Sequence, residues 1–552
     1  MSKNVLCPPL RETTKPKRLK CCSSLGWQEQ INLCVHPLRN NYFKLGVFHN
    51  QITINPKHCL NYQVVFFYLS LRRTKGALMT TTNSKNDNQN NYESTDMGNM
   101  NRLVDQHKDT LKSTGTPSSW FVWDGMRWKY CSNNTQATQK AFEVVKSIKT
   151  EALETSDIFK KQELLKWSKQ SQSNNKILSM INMASKHEDI VVSMSDFDKD
   201  ISLINCLNGV VDLKSKTLLG IHKHRLISKL ANVSYNSSAK APVFINFINQ
   251  VFGNDHELIK WVQRAIGYSL TGSVLEQKLF YAYGTGSNGK STLFEVIHDI
   301  LAEYSKTTDF ETFISKQKSG VRELEAVGEL KGIRFVLASE TESRGSFNEA
   351  IVKKLTGGDT LRGTKLMKSA FEFKPEFKLW FSANHMLYAN DGSFGFWRRI
   401  RIVPFNQQFD DKVDLTLKDK LLREKEGIFK WCVDGAYHWY RELRSSGGKT
   451  GLGPCSAIDE ATERYKSEND VFGEFIKEHI EIKPSSKVGA REVYEQYKLW
   501  ANSNSGDDYI KPISEMVFSK RMQERGFTKE RLKHNKVYVD IKLKNVGGGY
   551  NF

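Results

Sequence analysis

Long apolar stretches are what this sequence most plainly lacks. Nowhere in its 552 residues is there a run of about 18 or more apolar residues, so no transmembrane helix is expected. The longest apolar run, Val64 to Leu71 (VVFFYLSL), is too short to cross a bilayer and reads as a buried strand. Paired cysteine motifs are missing too. The nine cysteines (Cys7, Cys21, Cys22, Cys34, Cys59, Cys131, Cys206, Cys432 and Cys455) are odd in number, and no two form a CxxC pair. That leaves no basis for a zinc site or a disulfide framework and suits a reducing compartment. Acidic residues are outnumbered, 61 against 81 basic ones, for a net charge of +20. Such an excess favours polyanionic partners, because Lys and Arg that neutralise phosphates release counterions, although ribosomal and membrane-surface proteins carry the same excess.

What is present is enough for several globular cores. Hydrophobic residues make up 39% of the chain, and its length suggests roughly three or four domains. The N-terminus differs from the rest. Residues 1–78 hold twelve Lys and Arg against Glu12 and Glu29 alone, half of the whole net charge. Met79 then opens a polar stretch, MTTTNSKNDNQNNYESTD, that cannot bury enough apolar surface to fold alone. The reading is a leader without fold over 1–93, with Met79 as an alternative start. An organelle targeting segment is the rival, since import signals are also basic and acid-poor.

From Asp96 the pattern becomes globular. Trp120 to Trp128 with Asp124-Gly125 predicts a hairpin. Residues 136–187 have helical period, Asn208-Gly209 is a turn before the strand VVDL, and Pro242 to Leu270 predicts helix. SSGGKTGLGP, between Leu443 and Pro454, reads as a linker. Helices follow after Glu460, then a candidate hairpin including Lys536 to Ile541, the order of a winged helix.

Residues 284–291 read GTGSNGKS, directly after the strand-like Leu279 to Tyr283. This is the phosphate-loop pattern. Glycines at 284, 286 and 289 let the backbone N–H groups of Thr285, Ser287 and Asn288 turn toward phosphate oxygens. The helix that follows aims its positive end at the same anion. Lys290 supplies a point charge, Ser291 a hydroxyl for Mg²⁺, and Thr292 is a supporting neighbour. The strand Arg334 to Ser339 ends in Glu340 and, two residues on, Glu342; one suits Mg²⁺ and the other can orient water. A second strand, Phe377 to Ala383, ends at Asn384, whose amide can hydrogen-bond a γ-phosphate or the attacking water. FWRRIRIVPF then sets Arg398, Arg399 and Arg401 beside an apolar run, the residue type that stabilises a transferring phosphoryl group.

These four elements, in this order within about 120 residues, resemble the ATPase of superfamily 3 helicases, and among them the phage and plasmid primase–helicase family that is also similar to the poxvirus replication NTPase. GNMNRLVDQHKDTLK and WFVWDGMRW resemble that family's N-terminal domain, LINCLNGVVDL its linker, and TGGDTLRGTKLMKSAFEFKPEFKLWFSANH its hallmark segment. The likeness covers roughly 94–545. It implies an α/β fold with a P-loop, AAA+-like ATPase core. The domains would be 94–235 (helix-rich, N-terminal), 236–445 (ATPase), 446–459 (linker) and 460–545 (winged helix). It implies that Gly284 to Thr292 is the Walker A loop, Glu340, with Glu342, the Walker B acid, Asn384 sensor 1, and Arg399 or Arg398 an arginine finger. Gly357, Gly358 and Asp359 would shape the turn before a DNA-contacting hairpin with Lys365 and Lys368 at its tip. One departure stands out: members often carry two adjacent acids at the strand end, and here Ser339 precedes Glu340.

The resemblance further implies ATP and Mg²⁺ as cofactors and a hexameric ring on single-stranded DNA at a replication fork, moving 3′ to 5′. It implies a separate primase as a possible partner, and a setting in the cytoplasm of a bacterial host or a virus-infected cell. No primase carboxylates or zinc-binding cysteines are recognised before residue 200, so priming activity is not carried over. Two other readings use the same motifs: an ATP-gated initiator that binds DNA without unwinding it, and a DNA-packaging motor, which would need a nuclease domain after the ATPase.

Overall fold

The structure is a computed structural model. It describes residues 92–309, 320–339, 347–364, 370–387, 394–409, 414–503, 512–533 and 535–544, together with three strands nearer the N-terminus. Those strands, β1 (Cys34–Leu38), β2 (Tyr42–Val47) and β3 (Asn50–Ile54), form an antiparallel meander within the stretch expected to lack fold. They fall in a separate unit, Met1–Asn91. The strand expected at Val64 to Leu71 lies outside the described residues.

The second unit, Tyr92–Phe552, opens with α1 (Asp96–His107), where Thr95 accepts from the Gly98 N–H at 3.1 Å as an N-cap. Strands β4 (Leu111–Ser113), β5 (Trp120–Trp123) and β6 (Trp128–Cys131) make an antiparallel sheet. The hairpin read at Asp124-Gly125 is present: Asp124 Oδ1 accepts from the backbone of Met126 and Arg127, and Gly125 sits at φ +101°. The predicted helical region is three helices, α2 (Thr135–Glu154), α3 (Ile158–Gln170) and α4 (Asn174–Ala184). Arg102 of α1 is buried and pairs with Glu151 of α2 at 2.8 Å. This module has its own core, from Met100 to Ile190. The next sheet, β7 (Leu203–Cys206), β8 (Gly209–Asp212) and β9 (Thr217–Leu219), does not share that core. Ile204, Val211, Val233 and Tyr235 pack in the large core that follows, so the structural boundary precedes the expected one at 235.

The stretch Pro242 to Leu270, read as helical, forms two helices, α5 (Pro242–Val251) and α6 (His256–Leu270). Gly253 and Asn254, at φ +59° and +61°, break the run, and Asp255 caps α6.

The strand β10 (Leu279–Tyr283) then enters a five-stranded parallel sheet. Its partners arrive through α7 (Lys290–Leu301), β11 (Ser305–Asp309), α8 (Gly320–Glu329), β12 (Phe335–Ser339) and α9 (Glu349–Thr356). A small hairpin follows, β13 (Leu361–Gly363) with β14 (Phe371–Phe373). Then come β15 (Lys378–Ala383), the short α10 (Phe394–Trp397) and β16 (Ile400–Pro404). The strand order is β11-β12-β15-β10-β16. Both faces are covered, so the inner strands β10 and β12 read as nearly unbroken apolar runs, whereas the edge strand β11 (SKTTD) is polar. Successive side chains alternate: Phe280 and Ala282 enter one core, Leu279 and Tyr281 the other. Trp380 stacks on Phe280 at 4.4 Å and on Phe335 at 5.9 Å, each such pair contributing about 0.5–1.5 kcal/mol beyond area burial. At the sheet's lower end two buried cations fix the strand starts. Arg334 donates to the carbonyls of Leu203 (2.7 Å) and Leu270 (2.8 Å), and Lys378 to those of Thr271 and Glu376. Burial pulls the Lys378 ammonium well below its ordinary range.

Helices α11 (Leu417–Arg423) and α12 (Lys425–Ser445) close the first core; α12 lies along α6. The segment expected to be a linker, 446–459, is instead fastened down. Glu276 is buried, and its carboxylate accepts from Trp439 Nε1 (2.9 Å), Thr450 Oγ1 (2.9 Å) and the backbone N–H groups of Gly451 (2.6 Å) and Leu452 (3.3 Å). Arg264 and Trp261 hold the Leu452 and Gly453 carbonyls. The next helix, α13 (Ser456–Glu468), packs on β16, with Thr462 accepting from the Ile402 N–H and Tyr465 donating to the Leu387 carbonyl. It belongs to the sheet domain, and the C-terminal unit begins near 470 rather than 460. That unit comprises α14 (Val471–His479), β17 (Ile480–Gly489), α15 (Ala490–Ser503), α16 (Glu515–Glu524), β18 (Lys529–Arg531) and β19 (Lys536–Leu543). Its sheet order is β17-β19-β18, around a core of its own.

Replacing Glu276 by Ala leaves two backbone donors and an indole N–H buried without an acceptor, at a cost of about 3 kcal/mol. The Glu276→Ala variant should melt at lower temperature and become cleavable by trypsin at Lys449, which stays uncut in the wild type. Equal cleavage of both would show that the segment is loose after all.

Candidate functional site

The upper ends of the parallel strands are level. Tyr283 pairs with Ala383, and Ala282 with Ser382, which in turn pairs with Ser339. Ligand sites in open parallel sheets form at such carboxyl ends. The loop 284–289 leaves β10 at this edge and returns as α7, whose first residue is Lys290. Gly286 (φ +102°), Ser287 (φ +44°) and Gly289 (φ +81°) are left-handed, and such turns aim successive backbone N–H groups into one concavity. Two glycines are required on steric grounds. A Cβ on Gly284 would stand 2.3 Å from the Phe405 carbonyl oxygen, and one on Gly289 would stand 2.7 Å from Val251 Cγ2.

Lys290 is buried. Its Nζ donates to the Gly284 carbonyl (2.6 Å), to Asn288 Oδ1 (3.1 Å) and to Asn384 Oδ1 (3.2 Å). The structure therefore brings together the loop lysine and the amide at the tip of β15. Thr285, Ser287 and Ser291 are exposed and Thr292 is half-buried, which leaves the hydroxyls at the helix start open to a ligand. The strand ending before Glu340 is not the neighbour of β10, because β15 lies between them. At about 4.8 Å per strand, the tip of β12 stands some 10 Å from the tip of β10, and Asn384 occupies the nearer place. Glu340, Glu342, Lys365 and Lys368 lie outside the described residues.

Residues after β16 also brace the loop, and nothing in their spacing announced it. The Phe405 N–H donates to the Tyr283 carbonyl (2.8 Å) and the Phe409 N–H to the Ser287 carbonyl (2.8 Å). Asn288 Nδ2 donates to the Phe405 carbonyl (3.4 Å), and Gln408 Nε2 to Thr285 Oγ1 (2.9 Å). The loop is thus held in shape by the protein itself. Chemically it can take a polyphosphate: inward N–H groups, a buried ammonium and the N-terminal end of a twelve-residue helix converge on one anion site.

Arg398 and Arg399 sit at the other end of the sheet, just before β16. Ile400 pairs with Leu279 and Pro404 with Tyr283, so Arg399 is five residues, about 16 Å at 3.3 Å each, below the loop of its own chain. Burial, and then Arg398, lower the Arg399 pKa from its ordinary value, with Asp359 opposing.

Residues 101–253 match the family described as D5 N terminal like, and residues 282–399 a family of unknown function (DUF5906). The chain is 25% identical over 334 residues to "Putative helicase L207/L206" of Acanthamoeba polyphaga mimivirus, covering 56% of this chain and 34% of that protein. It is 24% identical over 417 residues to "Putative helicase 184R" of Invertebrate iridescent virus 6 (68% and 43%), and 20% identical over 327 residues to "Putative primase C962R" of African swine fever virus, isolate Warthog/Namibia/Wart80/1980 (56% and 34%). The chain thus spans between a third and less than half of the length of these relatives. Among solved structures, the apo A form of the NrS-1 C-terminal region aligns over 79% of this chain and 98% of that one, at 10% identity and a TM-score of 0.40.

Gly284→Ala should lower affinity for a nucleoside triphosphate about tenfold or more, in line with the ~1–3 kcal/mol of overpacking a closed backbone contact. The helical circular dichroism spectrum should not change. A fluorescence titration giving wild-type affinity would show that the close approach of Phe405 does not shape the loop.

Proposed function

We propose, for a chain that belongs to the phage and viral primase–helicase family, that it is an ATP-dependent DNA helicase acting in replication. The observation that carries this reading is the meeting of Lys290 with Asn384 at 3.2 Å across two adjacent strand tips. A lysine that only stabilised a turn would have no need of the second strand. On this reading the Lys290 ammonium and the loop amides grip the β- and γ-phosphates, and Asn384 hydrogen-bonds the γ-phosphate or the attacking water. The Ser291 hydroxyl and Glu340 would hold Mg²⁺, which would neutralise negative charge on the phosphates. Glu340 or Glu342 would orient the water.

The distance from Arg399 to its own loop supports action in trans. A guanidinium that far below one site serves hydrolysis only if a second copy presents its own site there. This favours a ring, with the hexamer of the superfamily as its expected form. Lys365 and Lys368 would line the channel and contact one DNA strand through its phosphates. In the C-terminal unit the order helix, strand, two helices and two strands suits a winged helix. The exposed Arg531, Lys533 and Lys536 around its β18–β19 turn suit contact with phosphate. No described helix is long and apolar enough to cross a membrane. Replication in the cytoplasm of an infected or bacterial cell, beside a separate primase, fits the reading.

Purified protein should hydrolyse ATP faster with single-stranded DNA and open a forked duplex. Lys290→Ala should abolish both activities, and near-normal turnover would end the phosphate-loop argument. ATP hydrolysis and DNA binding without strand displacement under any loading condition would favour the initiator. Lys365→Ala combined with Lys368→Ala should weaken single-strand binding while part of the hydrolysis survives; unchanged DNA affinity would count against the hairpin.

A further inference from the structure

At the start of β10 three consecutive residues take hold of the two arginines. Gln277 Oε1 accepts from Arg398 Nη2 at 2.5 Å, Lys278 Nζ donates to the Arg398 carbonyl at 2.7 Å, and the Leu279 N–H donates to the Arg399 carbonyl at 2.8 Å. Gln277 has φ +52°, a left-handed backbone that is unusual for a residue with a side chain and persists where the surroundings enforce it. The two guanidinium groups are thereby unequal. Arg398 is tied within its own chain. Arg399 donates from Nη1 to the Gly395 carbonyl, but its Nε is buried with no hydrogen-bond partner. A donor left unsatisfied in a buried position is costly unless something else completes it.

We propose that Lys278, with Gln277, is a positioning residue that fixes the Arg398 backbone so that Arg399, and not Arg398, reaches the γ-phosphate held by the neighbouring subunit. The proposal rests on the ATPase reading above and deepens it: it says which arginine acts and what aims it. The chemistry is a charge-assisted hydrogen bond from an ammonium to a peptide carbonyl, placed one residue before the group it orients. A misplacement of about 1 Å in such a group can cost as much as a hundredfold in rate.

The surroundings of Lys278 make the device pH-sensitive. Burial first, then Arg401, Arg398 and Arg399, lower its pKa to about 8, against the opposing charge of Glu276; Asp459 and Glu463 of α13 face the neighbouring Arg401. The ammonium is complete below that value and is lost as pH rises through it. The bracket therefore weakens on the alkaline side.

The test uses the full chain in steady-state ATPase assays from pH 6.5 to 9.5. The wild type should lose kcat through an alkaline limb centred near pH 8. Lys278→Met should lower kcat about tenfold or more at neutral pH with KM nearly unchanged, the pattern of a lost transition-state interaction, and should abolish the limb. Lys278→Arg, charged throughout this range, should recover part of kcat without a limb. An unchanged kcat, or a defect in KM alone, would overturn the proposal.

Mixing provides a second arm. Lys278→Met subunits keep an intact loop, and Lys290→Ala subunits keep an intact bracket, so the mixture should hydrolyse ATP faster than either variant does alone. Arg399→Ala mixed with Lys290→Ala is the control. If the control pair complements and the Lys278 pair does not, Lys278 acts only within its own chain, and the proposal fails while the trans arginine stands. If neither pair complements, the trans arrangement fails and the proposal with it.

Discussion

A buried ammonium must have oxygen around it, and the site is organised by how Lys290 finds it among the described residues. A charge taken out of water without partners is too costly to persist, so the loop carbonyl of Gly284, the amide of Asn288 and the amide of Asn384 are conditions of the fold as much as features of a site. The third is available only because β10 and β15 are parallel neighbours that end level. Sheet order and site chemistry are thus one constraint. Moving β15 elsewhere in the sheet would leave the lysine short of a partner and the loop short of its second wall.

The same sheet carries polar anchors at both ends. Above, Phe405, Gln408 and Phe409 brace the phosphate loop from the strand after it. Below, Arg334 and Lys378, at the starts of β12 and β15, donate to the carbonyls of Leu203, Leu270, Thr271 and Glu376, and Lys278 donates to the Arg398 carbonyl just before β16. Between these ends lies a continuous aromatic and aliphatic filling, with Trp380 at its centre. A strand so fixed behaves as a strut. In β16 that strut joins a segment touching the chain's own loop to the arginines at its other end.

Glu276 extends the same logic to the C-terminal side. One carboxylate gathers an indole, a hydroxyl and two peptide N–H groups from a Gly-rich stretch, turning a segment whose composition says linker into part of the core. Glycine and serine there serve close packing: a Cβ on Gly451 would stand 2.5 Å from the Trp439 ring. Composition reports what a segment can do when nothing holds it, and here something does.

By itself the sequence determined the elements and the chemistry they carry. Short apolar runs fixed β10, β12 and β15, the Asp124-Gly125 turn fixed its hairpin, and GTGSNGKS fixed a strand–loop–helix with Lys290 at the helix start, because alternation, turn chemistry and glycine sterics act over a few neighbouring residues. Strand ends and arginine chemistry singled out Asn384 and the arginines, and the resemblance added their roles and the candidate hairpin lysines. Only the tertiary structure decided that β15 stands between β10 and β12, so that Asn384 and not the acid strand adjoins the loop, and that Arg399 lies a full strand length from its own site. Only it showed that Glu276, Lys278 and Gln408 have any role. Those facts depend on which strand pairs with which, and on hydrogen bonds between residues more than a hundred positions apart, and neither leaves a periodic trace along the chain.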